Sequence, residues 1–121
     1  MELHESAEDY LEAIHILKEK QGYVRSVDIA SFLGVSKPSV SYATRKLKDS
    51  NYIEMDANGM ILLTDEGKKI ASHVFSKHKV LTTFFTSIGV KEKQAAKDAC
   101  KIEHDLSDET FFAIKKFLKI K

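Results

Sequence analysis

Apolar residues recur at helical spacing from the start of the chain. Ala7, Tyr10, Leu11, Ile14 and Leu17 form one stripe, which predicts a helix from about residue 6 to about residue 20, with Ser6 as its N-cap and Gly22 as its stop. At about 100° per residue, Asp9 and Glu12 fall away from that stripe with Ile16 between them in projection, so a second face of this helix is expected to be covered. In SVDIASFLGVSKPSVSYATRKLKDSNYI, Ser26 is expected to cap a short helix whose inward face is Ile29, Ala30 and Leu33, ended by Gly34. Ser36 caps the next helix, with Pro38 in its first turn, where a missing N–H costs nothing. Val40, Ala43 and Leu47 turn this helix inward and leave Lys37, Ser39, Ser41, Tyr42, Arg45 and Lys46 outside or at its borders. Two such helices joined by a tight turn make the pattern of a helix-turn-helix.

The period then shortens. Tyr52-Ile53-Glu54-Met55 and Met60-Ile61-Leu62-Leu63 flank Asp56-Ala57-Asn58-Gly59, whose Asn-Gly pair takes the positive φ values that a tight hairpin demands. A hairpin after a helix-turn-helix is a wing. Thr64 is expected to cap a long helix to about Ile88, broken by Gly89, followed by helices from about Glu92 to about Asp105 and from Ser107 to about Leu118. The fold class is therefore mainly α: a winged helix-turn-helix with a small β-hairpin, then a helical domain. The seam is placed in the long helix, giving domains 1–70 and 71–121.

Composition adds bounds. With 43% hydrophobic residues the chain of 121 residues should bury a core, and no apolar run nears the roughly 20 residues of a membrane span, so a cytoplasmic protein without a membrane partner is expected. The formal net charge of +1 averages over an uneven distribution. Residues 36–48 carry Lys37, Arg45, Lys46 and Lys48 without an acid, while the first dozen carry Glu2, Glu5, Glu8, Asp9 and Glu12 without a base. A basic second helix in a helix-turn-helix is the arrangement that sets side chains against base edges and phosphates, which assigns Ser36, Lys37, Pro38, Ser39, Ser41, Tyr42, Arg45 and Lys46 to double-stranded DNA. The bland alternative is a solvated face, and Tyr42 serves packing equally well. Phe84-Phe85 and Phe111-Phe112 read as core or subunit interface.

The candidate chemistry lies in CKIEHD. On a helix Cys100, Glu103 and His104 span an arc of about 100°, so their heads can converge on one cation, or they can form a solvated turn beside a core thiol. Asp9 and Glu12 offer a second pair of oxygens three residues apart, and His78 stands alone on the long helix. Gly-rich phosphate loops, a nucleophile elbow and HExxH are all missing from the sequence, which argues against an enzyme. Two competing classes stay open at this point: a winged-helix regulator sensing a small organic ligand, and a metalloenzyme.

SAEDYLEAIHILKEKQGYVRSVDIASFLGVSKPSV, the wing with its LLTDEGKKIA continuation, and DACKIEHDLSDE together resemble the metal-dependent repressors of the diphtheria toxin repressor and manganese transport regulator family. The resemblance spans almost the whole chain. It implies a winged helix-turn-helix joined to a helical metal-binding and dimerisation domain, in a homodimer that binds a palindromic operator and represses genes for Mn²⁺ or Fe²⁺ uptake. A third, SH3-like domain of some members is not expected in a chain of this length. Carried over by position, the manganese branch's ligands fall on Asp9, Glu12, His78, Glu103 and His104, with Cys100 at the remaining carboxylate position. The iron branch has Cys there but Met at the position of Asp9, so the chain mixes the two patterns. Thr82 and Ala96 replace a Glu and a His of the iron branch's ancillary site, which is expected to be missing in that form. A thiolate favours a softer ion than Mn²⁺, while carboxylates and imidazole suit Mn²⁺ or Fe²⁺. The implied cofactor is Fe²⁺ or Mn²⁺, with Zn²⁺ or Co²⁺ able to occupy the site in vitro.

Overall fold

The structure, a computed structural model, describes residues 5–120, with side chains for 6–119. Glu2, counted above among the amino-terminal acids, lies outside the described residues, as does the side chain of Glu5. The elements run α1 (Glu5–Gln21), α2 (Ser26–Leu33), α3 (Lys37–Asp49), β1 (Ile53–Met55), β2 (Ile61–Leu63), α4 (Asp65–Ser87), α5 (Glu92–Ile102) and α6 (Asp108–Ile120). The chain divides into two compact units, Met1–Ser72 and His73–Lys121, with the division inside α4.

In the first unit Tyr10, Leu11, Ile14 and Leu17 of α1 are buried with Ile29, Val40, Leu47, Ile53 and Ile61, so α1 is the central rod around which the helix-turn-helix and wing are laid. Helix α1 is already formed at Glu5, which puts Ser6 inside it and not at its cap. Gly22, at φ 86°, stops it by donating its N–H to the Lys18 carbonyl. The cap of α2 is Arg25 and not Ser26: the backbone N–H of Arg25 donates to Asp28 Oδ2 at 2.9 Å, so the acid at the third helical position closes the turn from inside. Gly34 ends α2 in the left-handed region, and Ser36 caps α3 by accepting from the Ser39 N–H. Thr44 is buried on α3, its hydroxyl hidden by a bond to the Val40 carbonyl at 2.8 Å.

The wing pairs Ile53 with Leu63 and Met55 with Ile61, antiparallel. Its loop is longer than an Asn-Gly turn. Gly59 alone has positive φ there, and Asp56 organises the loop by accepting from the N–H groups of Asn58 and Met60, both at 2.9 Å. The Ile61 N–H donates to the Val24 carbonyl at 2.8 Å, which fastens the wing to the α1–α2 connection. Thr64 caps α4, accepting from the Gly67 N–H at 3.1 Å while its own hydroxyl donates to the Asn51 carbonyl at 2.8 Å.

In the second unit, Val74 and Leu81 of α4, Ala95 and Ala99 of α5 and Phe111 of α6 are buried. Alanines on α5 permit close approach of its neighbours. Helix α5 ends at Ile102, three residues earlier than its period predicts, and residues 103–107 turn the chain into α6, which Ser107 caps through the Thr110 N–H. Of the paired phenylalanines, Phe111 is core whereas Phe112 is exposed.

Candidate metal centre and nucleic-acid interface

The short turn after α5 carries Glu103 and His104. Glu103 keeps α-helical backbone angles and its N–H still donates to the Ala99 carbonyl, so its side chain leaves the axis where a further helical turn would place it. That direction is inward: Glu103 is 1% exposed, the one charged residue in the described core. His78 of α4 meets it, with Nδ1 2.8 Å from Oε1. A carboxylate oxygen accepts, so in this contact Nδ1 of His78 is the donor. His104, whose side chain is 3% exposed, has Nε2 3.8 Å from Glu103 Oε2.

Glu103 Oε2 is buried without a hydrogen-bond partner. Burial of a carboxylate oxygen in that condition costs about 1–3 kcal/mol, a cost that natural folds avoid unless the atom serves something else. A divalent cation meets the need. Two imidazoles and a carboxylate within one unit are also the borderline nitrogen and oxygen donors that Mn²⁺, Fe²⁺, Co²⁺ and Zn²⁺ accept, so the residues fit a transition metal.

The remaining candidates stand as follows. Cys100 is exposed on α5, one turn before His104. Asp9 and Glu12 are half-buried on α1, one turn apart on the same side of that helix. Thr82 spends its hydroxyl on the His78 carbonyl, and Ala96 on α5 carries no donor. Linear pattern reveals the members of the CKIEHD cluster but not which of them is buried, nor that His78 pairs with Glu103, because both facts arise from the packing of α4 against the α5–α6 turn. Outside this cluster, His73 Nε2 lies 3.1 Å from Asp108 Oδ1, and this bond, reinforced by the charge of Lys77, holds the Asp108 carboxyl below the usual carboxylate range.

On α3, Ser36, Lys37, Pro38, Ser39, Ser41, Tyr42, Arg45 and Lys46 are all exposed, opposite the buried Val40, Thr44 and Leu47. Tyr42 is 60% exposed, which removes packing as its role. The Lys46 ammonium sits 5.1 Å from its ring centroid, one turn along, so the two side chains form a cation–π pair on the solvent face.

Residues 2–59 match the family described as the iron dependent repressor, N-terminal DNA binding domain, and residues 64–120 match the iron dependent repressor, metal binding and dimerisation domain. The transcriptional regulator MntR of Geobacillus thermodenitrificans is 40% identical over 102 residues, which cover 84% of this chain and 72% of the relative. An uncharacterised helix-turn-helix-type transcriptional regulator of Methanocaldococcus jannaschii is 33% identical over 119 residues, covering 97% of this chain and 95% of the relative. Among solved structures, the manganese regulator SloR superposes with a TM-score of 0.83 at 29% identity, over 95% of this chain and 54% of its own. The chain thus spans about half the length of that solved relative. With both halves matched and an MntR relative at 40% identity, the chain belongs to the family of metal-dependent, DNA-binding transcriptional regulators that includes MntR and the iron-dependent repressors.

Proposed function

We propose that this chain is a repressor of Mn²⁺ or Fe²⁺ uptake genes, activated when one cation is shared by Asp9, Glu12, His78, Cys100, Glu103 and His104. The observation that supports this most strongly is the buried Glu103, with Oε2 lacking a hydrogen-bond partner between two histidines. A bound divalent ion supplies positive charge and directional bonds to carboxylates whose like charges oppose one another. Glu103 Oε1 fixes the tautomer and orientation of His78, and Oε2 is the atom left for the ion. Asp9 and Glu12 contribute the α1 side of the ligand set, so that ligation ties α1 to the helical unit. In a homodimer this sets the spacing of the two α3 helices, and two half-sites of a palindromic operator are met together. Phe112 and Phe117, both more than half exposed on α6, are the apolar residues that a second copy would cover. By linkage, DNA then raises metal affinity by the factor with which metal raises DNA affinity.

The test is an anaerobic titration of Mn²⁺, Fe²⁺ and Zn²⁺ into an operator-retardation assay. DNA binding that ignores all three ions contradicts the proposal.

Two substitutions probe its parts. Arg45, exposed on α3 with no acid between residues 36 and 48, is expected to reach the DNA, so Arg45→Ala should weaken operator binding by about 1–3 kcal/mol while calorimetric metal affinity stays unchanged. An unaltered footprint rejects Arg45 as a DNA contact. Cys100→Glu replaces a soft thiolate with a hard carboxylate and should shift activation toward Mn²⁺ over Fe²⁺. Coincident activation curves before and after the change would remove Cys100 from the ligand set.

A further inference from the structure

Lys77 immediately precedes His78 on α4, and its side chain is only 11% exposed. Its Nζ donates to the Leu106 carbonyl at 3.1 Å and lies 3.6 Å from Asp108 Oδ1, the oxygen that His73 also approaches at 3.1 Å. An ammonium so far withdrawn from water persists only where its partners are fixed, since a lone buried charge is costly. Those partners belong to one segment. Leu106 lies in the 103–107 turn that closes α5, where the outward-pointing carbonyls favour a cation.

The same turn is closed by its own backbone hydrogen bonds. The N–H groups of Asp105 and Leu106 both return to the Ile102 carbonyl, at 3.0 and 3.1 Å, so holding Leu106 holds the residues between, Glu103 and His104. Helix α4 therefore grips this turn with two successive residues: Lys77 through a backbone carbonyl and His78 through the Glu103 carboxylate. An ammonium one residue from His78 could have neutralised Glu103. It binds Leu106 and Asp108 instead, and Glu103 Oε2 keeps no hydrogen bond.

We infer that Lys77 is a positioning residue for the metal centre: its ammonium clamps the 103–107 turn to α4 and so holds His78 and Glu103 at hydrogen-bond distance. Preorganised ligands lose less freedom on binding, and partners behind the ligands are worth about 10- to 100-fold in metal affinity. The inference rests on the reading of His78, Glu103 and His104 as ligands.

The experiment compares the parent chain, Lys77→Met, Lys77→Arg and Glu103→Ala by calorimetric Mn²⁺ titration at a temperature where thermal melts show each to be folded. The imidazole ¹⁵N shifts of His78 are recorded on the metal-free proteins. Lys77→Met should bind Mn²⁺ about tenfold or more weakly and show a His78 Nδ1 shift displaced from the parent's, while Lys77→Arg, which still donates to the Leu106 carbonyl, should restore both. Parent-like Mn²⁺ affinity in folded Lys77→Met, or Lys77→Arg as weak as Lys77→Met, overturns the role of Lys77 alone. Glu103→Ala binding Mn²⁺ as the parent does, or a parent that takes up none, overturns the ligand assignment and this inference with it.

Discussion

Glu103→Gln is expected to melt, without metal, at or above the temperature of the parent chain, and yet to lose the metal response of DNA binding altogether. The two halves of this result have one cause. The buried carboxylate has one hydrogen-bonding partner within the chain, His78, while Oε2 has none, and unless an ion meets that oxygen its burial costs stability. Glutamine keeps the volume and the oxygen that faces His78 but carries no charge to desolvate, so the cost falls. Metal affinity depends on that charge. If the parent tightens its DNA binding by the usual coupling of about 5- to 150-fold when metal is added, the variant should show a factor near one. Thermal melts of the metal-free proteins and retardation assays with and without Mn²⁺ read the two effects separately. A variant that melts well below the parent would mean that Glu103 is structural, and one that responds normally to Mn²⁺ would remove it from the centre.

The second large effect concerns folding. Gly67→Ala, in a helix and at an ordinary backbone angle, would normally stabilise by about 1 kcal/mol. Here the opposite is expected. Gly67 occupies the third position of α4, and a Cβ there would collide with the Tyr52 carbonyl oxygen and come within 3.1 Å of the Tyr52 carbonyl carbon and 3.3 Å of Leu63 Cδ2. The obstacle is backbone and cannot rotate away. It is held by the Thr64 N–H, which donates to the Tyr52 carbonyl at 3.0 Å, and by the Thr64 hydroxyl on the Asn51 carbonyl, next to Asn51 in the left-handed region at φ 66°. Relief therefore demands that the α3–β1 loop separate from the start of α4, losing those bonds as well as the close packing. Overpacking of about 1–3 kcal/mol and about 1 kcal/mol for each hydrogen bond outweigh the gain in helix propensity, for a net loss of about 2–4 kcal/mol. For a unit of this size that lowers the melting temperature by more than about 10 °C. A Gly67→Ala protein that melts at or above the parent would show that the junction yields cheaply.

Gly67 also illustrates what a linear pattern leaves unread. Periodicity located α1, the helix-turn-helix and the wing, because each of these signals is local: a stripe of Leu and Ile, a Ser before Pro, a left-handed Gly. Close approach between residues 52 and 67 leaves no such trace. Even local signals compete, and at the start of α2 the acid at Asp28 captures the Arg25 N–H, so the cap lies one residue before the serine and the helix opens at Ser26 itself. Thr44 counts as polar by residue type yet is buried, since one hydroxyl satisfied by the carbonyl a turn earlier behaves as an apolar group. At the candidate centre the spacing of Cys100, Glu103 and His104 was legible. The burial of Glu103 and its contact with His78 were not, because nothing in residues 92–105 announces where α4 will lie. Family resemblance supplied His78 where the residues alone left it isolated.

The central claim is that one cation joins the α1 carboxylates to the histidine and glutamate ligands of the helical unit. Anomalous diffraction at the manganese edge from crystals of the Mn²⁺-loaded protein addresses it most directly. A peak within coordination distance of Glu103 Oε2 and of His78 or His104, with a carboxylate of Asp9 or Glu12 completing the shell, is the predicted result. A peak elsewhere, or one beside Glu103 that neither Asp9 nor Glu12 touches, would contradict the account.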